Sequence, residues 1–174
     1  TDLHQGIVWG TQTPETRLDK KLINRFDYDG DYGTVLNRFI MQAAVGYPLT
    51  VHGTGGQTRA FIHLSDTVNC ISLACKNPPN NGDQVLIRNQ VSETHRVRDL
   101  AKLISDKTGV EITNLENPRK EAAENELEVE NNSFLSLGLE PTYLDIGVVD
   151  EIYNVAKKYS SRVNLKHIPC VSKW

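Results

Sequence analysis

Two arginines and a glutamine stand where the chain can grip a phosphorylated molecule. Gln57 and Arg59 follow Gly53, Gly55 and Gly56 within the stretch Pro48 to Asp66, PLTVHGTGGQTRAFIHLSD. Leu49 and Val51 before the glycines, and Phe61, Ile62 and Leu64 after them, have strand character. The glycines therefore read as a tight loop that delivers Gln57 and Arg59 to its far side. A guanidinium is forked and permanently charged, so it matches the oxygens of a diphosphate, which lysine meets only as a point charge. The plain alternative is a hairpin carrying a surface arginine. Arg119 offers a second fork: Pro118 biases Asn117 to an extended shape, leaving Arg119 on an irregular link, either facing the same anion or paired with Glu121 or Glu124.

Other polar residues need elements to place them. Leu3, Ile7, Val8 and Trp9 read as one short buried strand ended by Gly10, with His4 and Gln5 as polar interruptions. Buried there, these two either bond backbone or face a ligand at the strand's carboxyl end, where open α/β sheets place their sites. Thr11 to Asp31 reads as a long loop with a helical turn near Leu18 to Leu22. Thr34 then caps a helix in which Val35, Leu36, Phe39, Ile40, Ala43 and Ala44 repeat at helical spacing and Gly46 is the stop. Asn37 and Arg38 fall in its first turns, where free N–H groups favour anions and where polar residues are also simply solvated.

Further along, Asp66 is expected to cap a helix that buries Val68, Ile71, Leu73, Ala74 and Cys75, and the run Pro78 to Gly82 ends it. Val85 to Ile87 reads as a strand. Thr94 is expected to cap a helix with Val97, Leu100, Ala101 and Ile104 inside, His95, Arg96 and Arg98 on its wet side, and a stop near Gly109. Val110 to Leu115 is a further strand. The acidic run Glu121 to Glu130 reads as a solvated face. A short helix over Asn131 to Leu137 stops at Gly138, and a last helix, about Asp145 to Tyr159, lines up Ile146, Val149, Ile152, Val155, Ala156 and Tyr159. Strands alternating with helices make the chain α/β.

Composition narrows the partners. A formal charge of -3 offers no net basic face for nucleic acid. No apolar run is long enough to cross a bilayer. Three cysteines, Cys70, Cys75 and Cys170, form no CxxC pair and no even set, which suits reduced thiols of a cytosolic protein and no metal site. Cys70 and Cys75 read as small core residues. The sequence has no GxGxxG, P-loop, HExxH or GxSxG. Tyr153 and Lys157 match Tyr-x-x-x-Lys, but on a packing face, so the match reads as accidental. A chain opening inside a strand and without Met looks like the back part of something longer.

The stretches TDLHQGIVWG, DYGTVLNRFIMQAAVGYPLTVHGTGGQTRAFIHLSDTV, ENPRKEA and LGLEPTYL together resemble the extended short-chain dehydrogenase family of nucleotide-sugar enzymes. The likeness spans nearly the whole chain and covers the later half of such an enzyme. It implies a mixed α+β substrate-binding region over residues 1–174, with 160–174 as a tail, lacking the N-terminal Rossmann domain that binds NAD through a GxxGxxG turn. The catalytic Tyr-x-x-x-Lys pair and its Thr belong to that absent part, so no catalytic residue and no metal ligand is expected here. The narrower wording of DLHQG, Gly-Thr-x-Leu-Asn-Arg-Phe and Gly-Gly-Gln-Thr-Arg implies UDP-glucose and sulfite as substrates, in a homodimer of the cytoplasm or, in a plant or alga, of the chloroplast stroma.

By the same resemblance, Gln5 sits by the sugar and the nicotinamide, Thr34 and Asn37 lie near the nucleotide, and Val51 and His52 flank the uracil. Gln57 and Arg59 contact UDP, and Arg119 binds phosphate. His4 departs from the family's usual Asn, and His52 from its frequent Tyr. Asn125-Glu126-Leu127-Glu128 replaces a His-Tyr-Tyr-Asn stretch, and its carboxylates are expected to repel sulfite. Two other readings remain open: the substrate domain of another NAD-dependent nucleotide-sugar epimerase or dehydratase, and a non-catalytic nucleotide-sugar-binding or oligomerisation module.

Overall fold

The computed structural model describes residues 1–30, 32–80, 82, 84–118, 121–144 and 146–169. The first apolar run is two strands rather than one: Gly6 separates β1 (Asp2–Gln5) from β2 (Ile7–Trp9), and the two join different sheets. The cause is local. The Gly6 N–H bonds the Gln90 carbonyl at 3.0 Å, and a Cβ on Gly6 would lie 3.0 Å from the Ala60 carbonyl oxygen. β1 runs parallel to β5 (Ile87–Gln90), with Gln5 opposite Gln90, and β2 runs parallel to β4 (Gly56–His63), with Trp9 opposite His63. Parallel pairs need crossover connections, and the helices supply them. The mixed α/β class expected from the sequence is the class observed.

The chain forms two compact units. The first comprises Thr1–Ile23, Arg59–Thr94 and Leu127–Tyr143. Ile62, Cys70, Ala74, Phe134 and Leu139 make its core, with Leu3, Val8, Leu73 and Leu137 packed against it. Helix α2 (Leu64–Lys76) starts earlier than expected, with His63 accepting the Ser65 N–H at Nδ1 as its cap. Asp66 is therefore inside the first turn, not before it. Its buried carboxylate accepts the Thr142 N–H (2.6 Å), the Thr142 hydroxyl (3.0 Å) and the Ser92 hydroxyl (3.4 Å). Those bonds set the rotation of the helix. Thr67, Cys70 and Ala74 face in, while Val68, Ile71 and Cys75, expected inside, are exposed.

β5 also differs from expectation. Val85 and Leu86 are exposed and precede the strand, which begins at Ile87. Arg88 within it is buried, donating from Nη2 to the Asn77 carbonyl at 3.0 Å with its guanidinium over the Phe134 ring. The short helix over 131–137 is present as α4 (Asn132–Ser136).

The second unit takes in the described residues of Asn24–Thr58, His95–Glu126 and Leu144–Trp174. Helix α1 (Val35–Val45) is the expected one, and it ends where Gly46 takes a left-handed φ of 70°. It packs against α3 (Val97–Thr108) and α5 (Ile146–Lys158), and α3 covers β3 (Leu49–His52) and β7 (Ile112–Leu115), which pair in parallel. Leu36, Phe39, Ile40, Leu100, Ala101, Ile104, Val149, Ile152 and Ala156 are buried there; the Ile146 side chain lies outside the described residues.

Thr94 does not cap α3. It lies in β6 (Glu93–Arg96), so His95 and Arg96 belong to a strand and are half-buried instead of lining a wet helix face. The Lys157 ammonium donates to the Ala44 carbonyl at 3.1 Å, which agrees with a packing role for the Tyr153/Lys157 face. Residues 159–169, beyond α5, are tied down: the Gly30 N–H bonds the His167 carbonyl, the Asn164 N–H bonds the Tyr28 hydroxyl, and Ile168 is buried.

Phe39 is fully buried, so Phe39→Ala is expected to lower the free energy of unfolding by about 3–5 kcal/mol, read from the urea midpoint. The cysteines supply a second test. Burial, reinforced by the Asp66 carboxylate, pushes the Cys70 thiol up to about 11, whereas Cys75 is exposed. Native protein at pH 8 is expected to label at Cys75 with iodoacetamide and at Cys70 only after unfolding, as peptide mass mapping would show.

Candidate functional site

The glycine stretch is not a hairpin. β3 pairs with β7, whereas β4 pairs with β2 and with a short strand β8 (Glu124–Asn125), so the two arms of the turn belong to different sheets. Gly53 and Gly55 carry left-handed φ angles of 62° and 67°, which L side chains rarely adopt. Gly56 is required for another reason. A Cβ there would sit 2.5 Å from Glu124 Cγ and 2.8 Å from the Ala123 carbonyl oxygen, because residues 122–125 lie directly on it.

That segment is bonded along its length. Gly56 stands opposite Glu124 and Gln57 opposite Asn125 in the parallel β4–β8 pair. The Thr54 hydroxyl donates to the Ala123 carbonyl (2.9 Å), and Gln57 Nε2 donates to the Ala122 carbonyl (3.3 Å). Asn125 is gripped twice by Thr58, whose N–H donates to Asn125 Oδ1 (2.7 Å) and whose hydroxyl donates to the Asn125 carbonyl (2.9 Å). Two ion pairs flank it, Arg98–Glu124 at 2.8 Å and Arg96–Glu126 at 2.7 Å. The acidic run is thus exposed, as expected, but two of its carboxylates are neutralised by arginines rather than merely solvated.

The expected site residues divide between the units. Gln5 ends β1 and is exposed, as is His4, which bonds Asp2 at 3.3 Å; neither is the buried polar interruption the pattern suggested, because the strand breaks right after them. Arg59 is half-buried on β4 and belongs, with Gln5, to the first unit. Thr34, Asn37, Val51, His52 and Gln57 belong to the second. Thr34 stands at the cap position of α1 but makes no capping bond. Thr34 Oγ1 and Asn37 Oδ1 are both buried atoms with no hydrogen-bond partner among the described residues. They lie one turn apart at the helix start, beside the N–H groups that a first turn leaves unpaired.

Arg38, in the same turn, is buried rather than solvated: it donates from Nη2 to the Thr50 carbonyl at 3.3 Å and lies over the Phe39 ring. Val51 is core, His52 is half-buried opposite Leu115, and Gln57 is buried. Gln57 and Arg59 are two positions apart on one strand, so their Cβ atoms share a face. Arg119 and Cys170 lie outside the described residues.

Sequence reasoning missed Thr58, Asn125, Arg96 and Arg98. Asn125 sits in an acidic run with no local signal, and its partner is distant in the chain. Gln5, which the resemblance sets by the nicotinamide, has an exposed amide that can both donate and accept at the carboxyl end of a parallel strand. No cluster of His, Cys, Asp and Glu suited to a metal occurs among the described residues. Among them, too, no helix is long and apolar enough to cross a membrane.

The sequence pattern of the NAD dependent epimerase/dehydratase family matches residues 21–87. Over its whole length the chain is 46% identical to the chloroplastic UDP-sulfoquinovose synthase of Spinacia oleracea, of which it spans 37%. Over 81% of its length it is 42% identical to the UDP-sulfoquinovose synthase of Sulfolobus acidocaldarius, again covering 37% of that relative. The solved structure of UDP-glucuronic acid 4-epimerase from Bacillus cereus, in complex with UDP-glucuronic acid and NAD, superposes with a TM-score of 0.65 at 20% identity, over 90% of this chain and 44% of that one. The chain therefore has the fold of part of that structure, and the resemblance read from the residues is borne out. The chain spans between a third and a half of the length of these relatives.

Since the 122–125 segment leaves no room for a Cβ at Gly56, Gly56→Ala is expected to destabilise the fold by about 1–3 kcal/mol, read as a lower urea midpoint. Gly46, whose Cβ would meet nothing within 4 Å, is the control for glycine replacement in general: Gly46→Asn, which tolerates left-handed φ, is expected to change stability by about 1 kcal/mol or less.

Proposed function

We propose that this chain is the UDP-sugar-gripping part of an NAD-dependent enzyme of the UDP-sulfoquinovose synthase kind, and that the complete protein converts UDP-glucose and sulfite to UDP-sulfoquinovose. The observation that carries the reading is the pair of buried acceptors at the start of α1, Thr34 Oγ1 and Asn37 Oδ1, which have no partner among the described residues and stand at the positions the family gives to the nucleotide. Buried polar atoms are rarely left unbonded, and a ligand hydroxyl or uracil N–H would complete them. The 46% identity to the spinach enzyme over the whole chain supports the same assignment.

In this reading Arg59 and Arg119 neutralise the diphosphate, and Val51 and His52 flank the uracil. Gln57 commits one amide hydrogen to Ala122 and offers the rest of its amide to UDP. Gln5 stands between sugar and nicotinamide. NAD, when bound, supplies the reversible removal of hydride from the sugar; this chain contributes grip and orientation. The free thiols of Cys70 and Cys75 suit a reducing compartment, the cytoplasm or the plastid stroma.

Titration calorimetry with UDP and UDP-glucose tests the grip. Arg59→Ala and Arg119→Ala are each expected to weaken binding by roughly tenfold or more, the usual loss of a charge-assisted hydrogen bond. Unchanged affinity in both variants would defeat the assignment. In the complete protein, consumption of UDP-glucose should depend on sulfite.

A further inference from the structure

We propose that the groove between α2 and residues 138–142, within the first unit, binds a small zwitterion of the amino-acid kind, with Lys76 holding its carboxylate and Glu140 its ammonium group.

The groove follows from how its walls are fixed. Asp66 in the first turn of α2 accepts the Thr142 N–H (2.6 Å) and hydroxyl (3.0 Å), which ties the end of the 138–142 segment to the start of the helix. The beginning of the segment is tied by Leu139, which is buried in the core beside Phe134 and donates its N–H to the Phe134 carbonyl at 3.0 Å. Beside these two ties a hollow of about 400 Å³ remains. Small-molecule sites fall in the range of roughly 300–1,000 Å³. Because both walls are held by the protein's own contacts, little freedom is lost when a ligand enters.

The lining is mixed in character. Leu73 and Leu139 give it an apolar floor. Asn69, Ser72 and Lys76 recur at helical spacing along one face of α2, and Glu140 comes from the opposite wall. The side chains of these four residues make no hydrogen bond or ion pair among the described residues, and Lys76 and Glu140 do not pair with each other although they share the groove. One ammonium and one carboxylate therefore line the same hollow unanswered.

That pairing of charges selects the class of ligand. A simple anion would meet Glu140 and the buried Asp66 carboxylate as well as Lys76, and a simple cation would meet Lys76. A neutral polyol would take water from both charges and answer neither. A molecule that carries both signs close together answers both through charge-assisted hydrogen bonds, and an apolar side chain on it covers Leu73 and Leu139. An α-amino acid has that form. None of the residues that the resemblance sets near UDP, the sugar or the nicotinamide lines this groove, so binding there does not depend on the proposed function.

The test is titration of the full chain with L-leucine, followed by the backbone amide shifts of Asn69, Ser72 and Glu140 in heteronuclear NMR spectra. Saturable shifts are expected with leucine. Isocaproate, which lacks the ammonium group, and isoamylamine, which lacks the carboxylate, are each expected to bind about fivefold more weakly. Glycine keeps both charges without the apolar side chain and is expected to bind about tenfold more weakly than leucine. Lys76→Gln is expected to weaken leucine about fivefold while leaving isoamylamine within about twofold of its wild-type affinity. Glu140→Gln should do the same with isocaproate as the insensitive probe. Both side chains are exposed, so both variants are expected to keep the wild-type urea midpoint, which separates a lost contact from a lost fold. Leucine that shifts none of these amides, single-charge analogues that bind as well as leucine, or leucine affinity unchanged in both variants would each overturn the proposal.

Discussion

The second unit is built around the approach of residues 122–125 to Gly56. Strands in a sheet lie close enough that a misplaced methyl group cannot be absorbed, and here the backbone of Ala123 and the side chain of Glu124 stand within 3 Å of where that methyl would be. The absence of a side chain at Gly56 lets β8 pair with β4, and that pairing aligns Thr58 with Asn125 and Gln57 with Ala122. A segment with no hydrophobic residue of its own to bury is held by backbone pairing, amide and hydroxyl bonds and two ion pairs. Such a hold is directional. It fixes register in a way that apolar packing of an acidic, alanine-containing stretch could not.

Buried polar groups play the same part elsewhere, and they decide the rotation of helices that hydrophobic periodicity leaves ambiguous. Gln42 on α1 donates to the Thr50 hydroxyl at 2.7 Å and accepts the Thr50 N–H at 3.1 Å, while Arg38 reaches the Thr50 carbonyl. Helix α1 is thereby locked to β3 at one strand residue. In the first unit, Asp66 accepts from Thr142 and Ser92, and α2 turns to deliver that carboxylate. An ionised carboxylate without those donors would lose several kcal/mol on burial, more than the exposure of Val68 and Ile71 loses in apolar contact, so the polar demand wins.

That balance explains what could be read from the chain and what could not. α1 and α3 were legible because apolar residues recur at 3.6-residue spacing and Gly46 and Gly109 follow as left-handed stops, all local signals. β7 and the short α4 were legible for similar reasons. The face of α2 was not, because Asp66 finds its partners at Ser92 and Thr142, far along the chain. The break at Gly6 was hidden in a continuous apolar run. At the candidate site, the residue types were legible in QTR and NPR, but the role of Gly55 and Gly56 was not: a glycine that makes room for a ligand and one that makes room for the protein look identical in sequence. Only the identity of the neighbour, Glu124 from a distant segment, distinguishes them.

The acidic run follows from the same reasoning. Read alone, Glu126 and Glu128 introduce negative charge where the resembled family has a His-Tyr-Tyr-Asn stretch, and sulfite would be repelled. In the fold Glu126 of that stretch faces Arg96, and Glu124 just before it faces Arg98, each at less than 3 Å. The two charges of each pair cancel at the distance of a bound anion, where the field of a close pair falls off faster than that of a single charge. The departure from the family's wording is therefore compensated at Glu126, whose charge Arg96 answers.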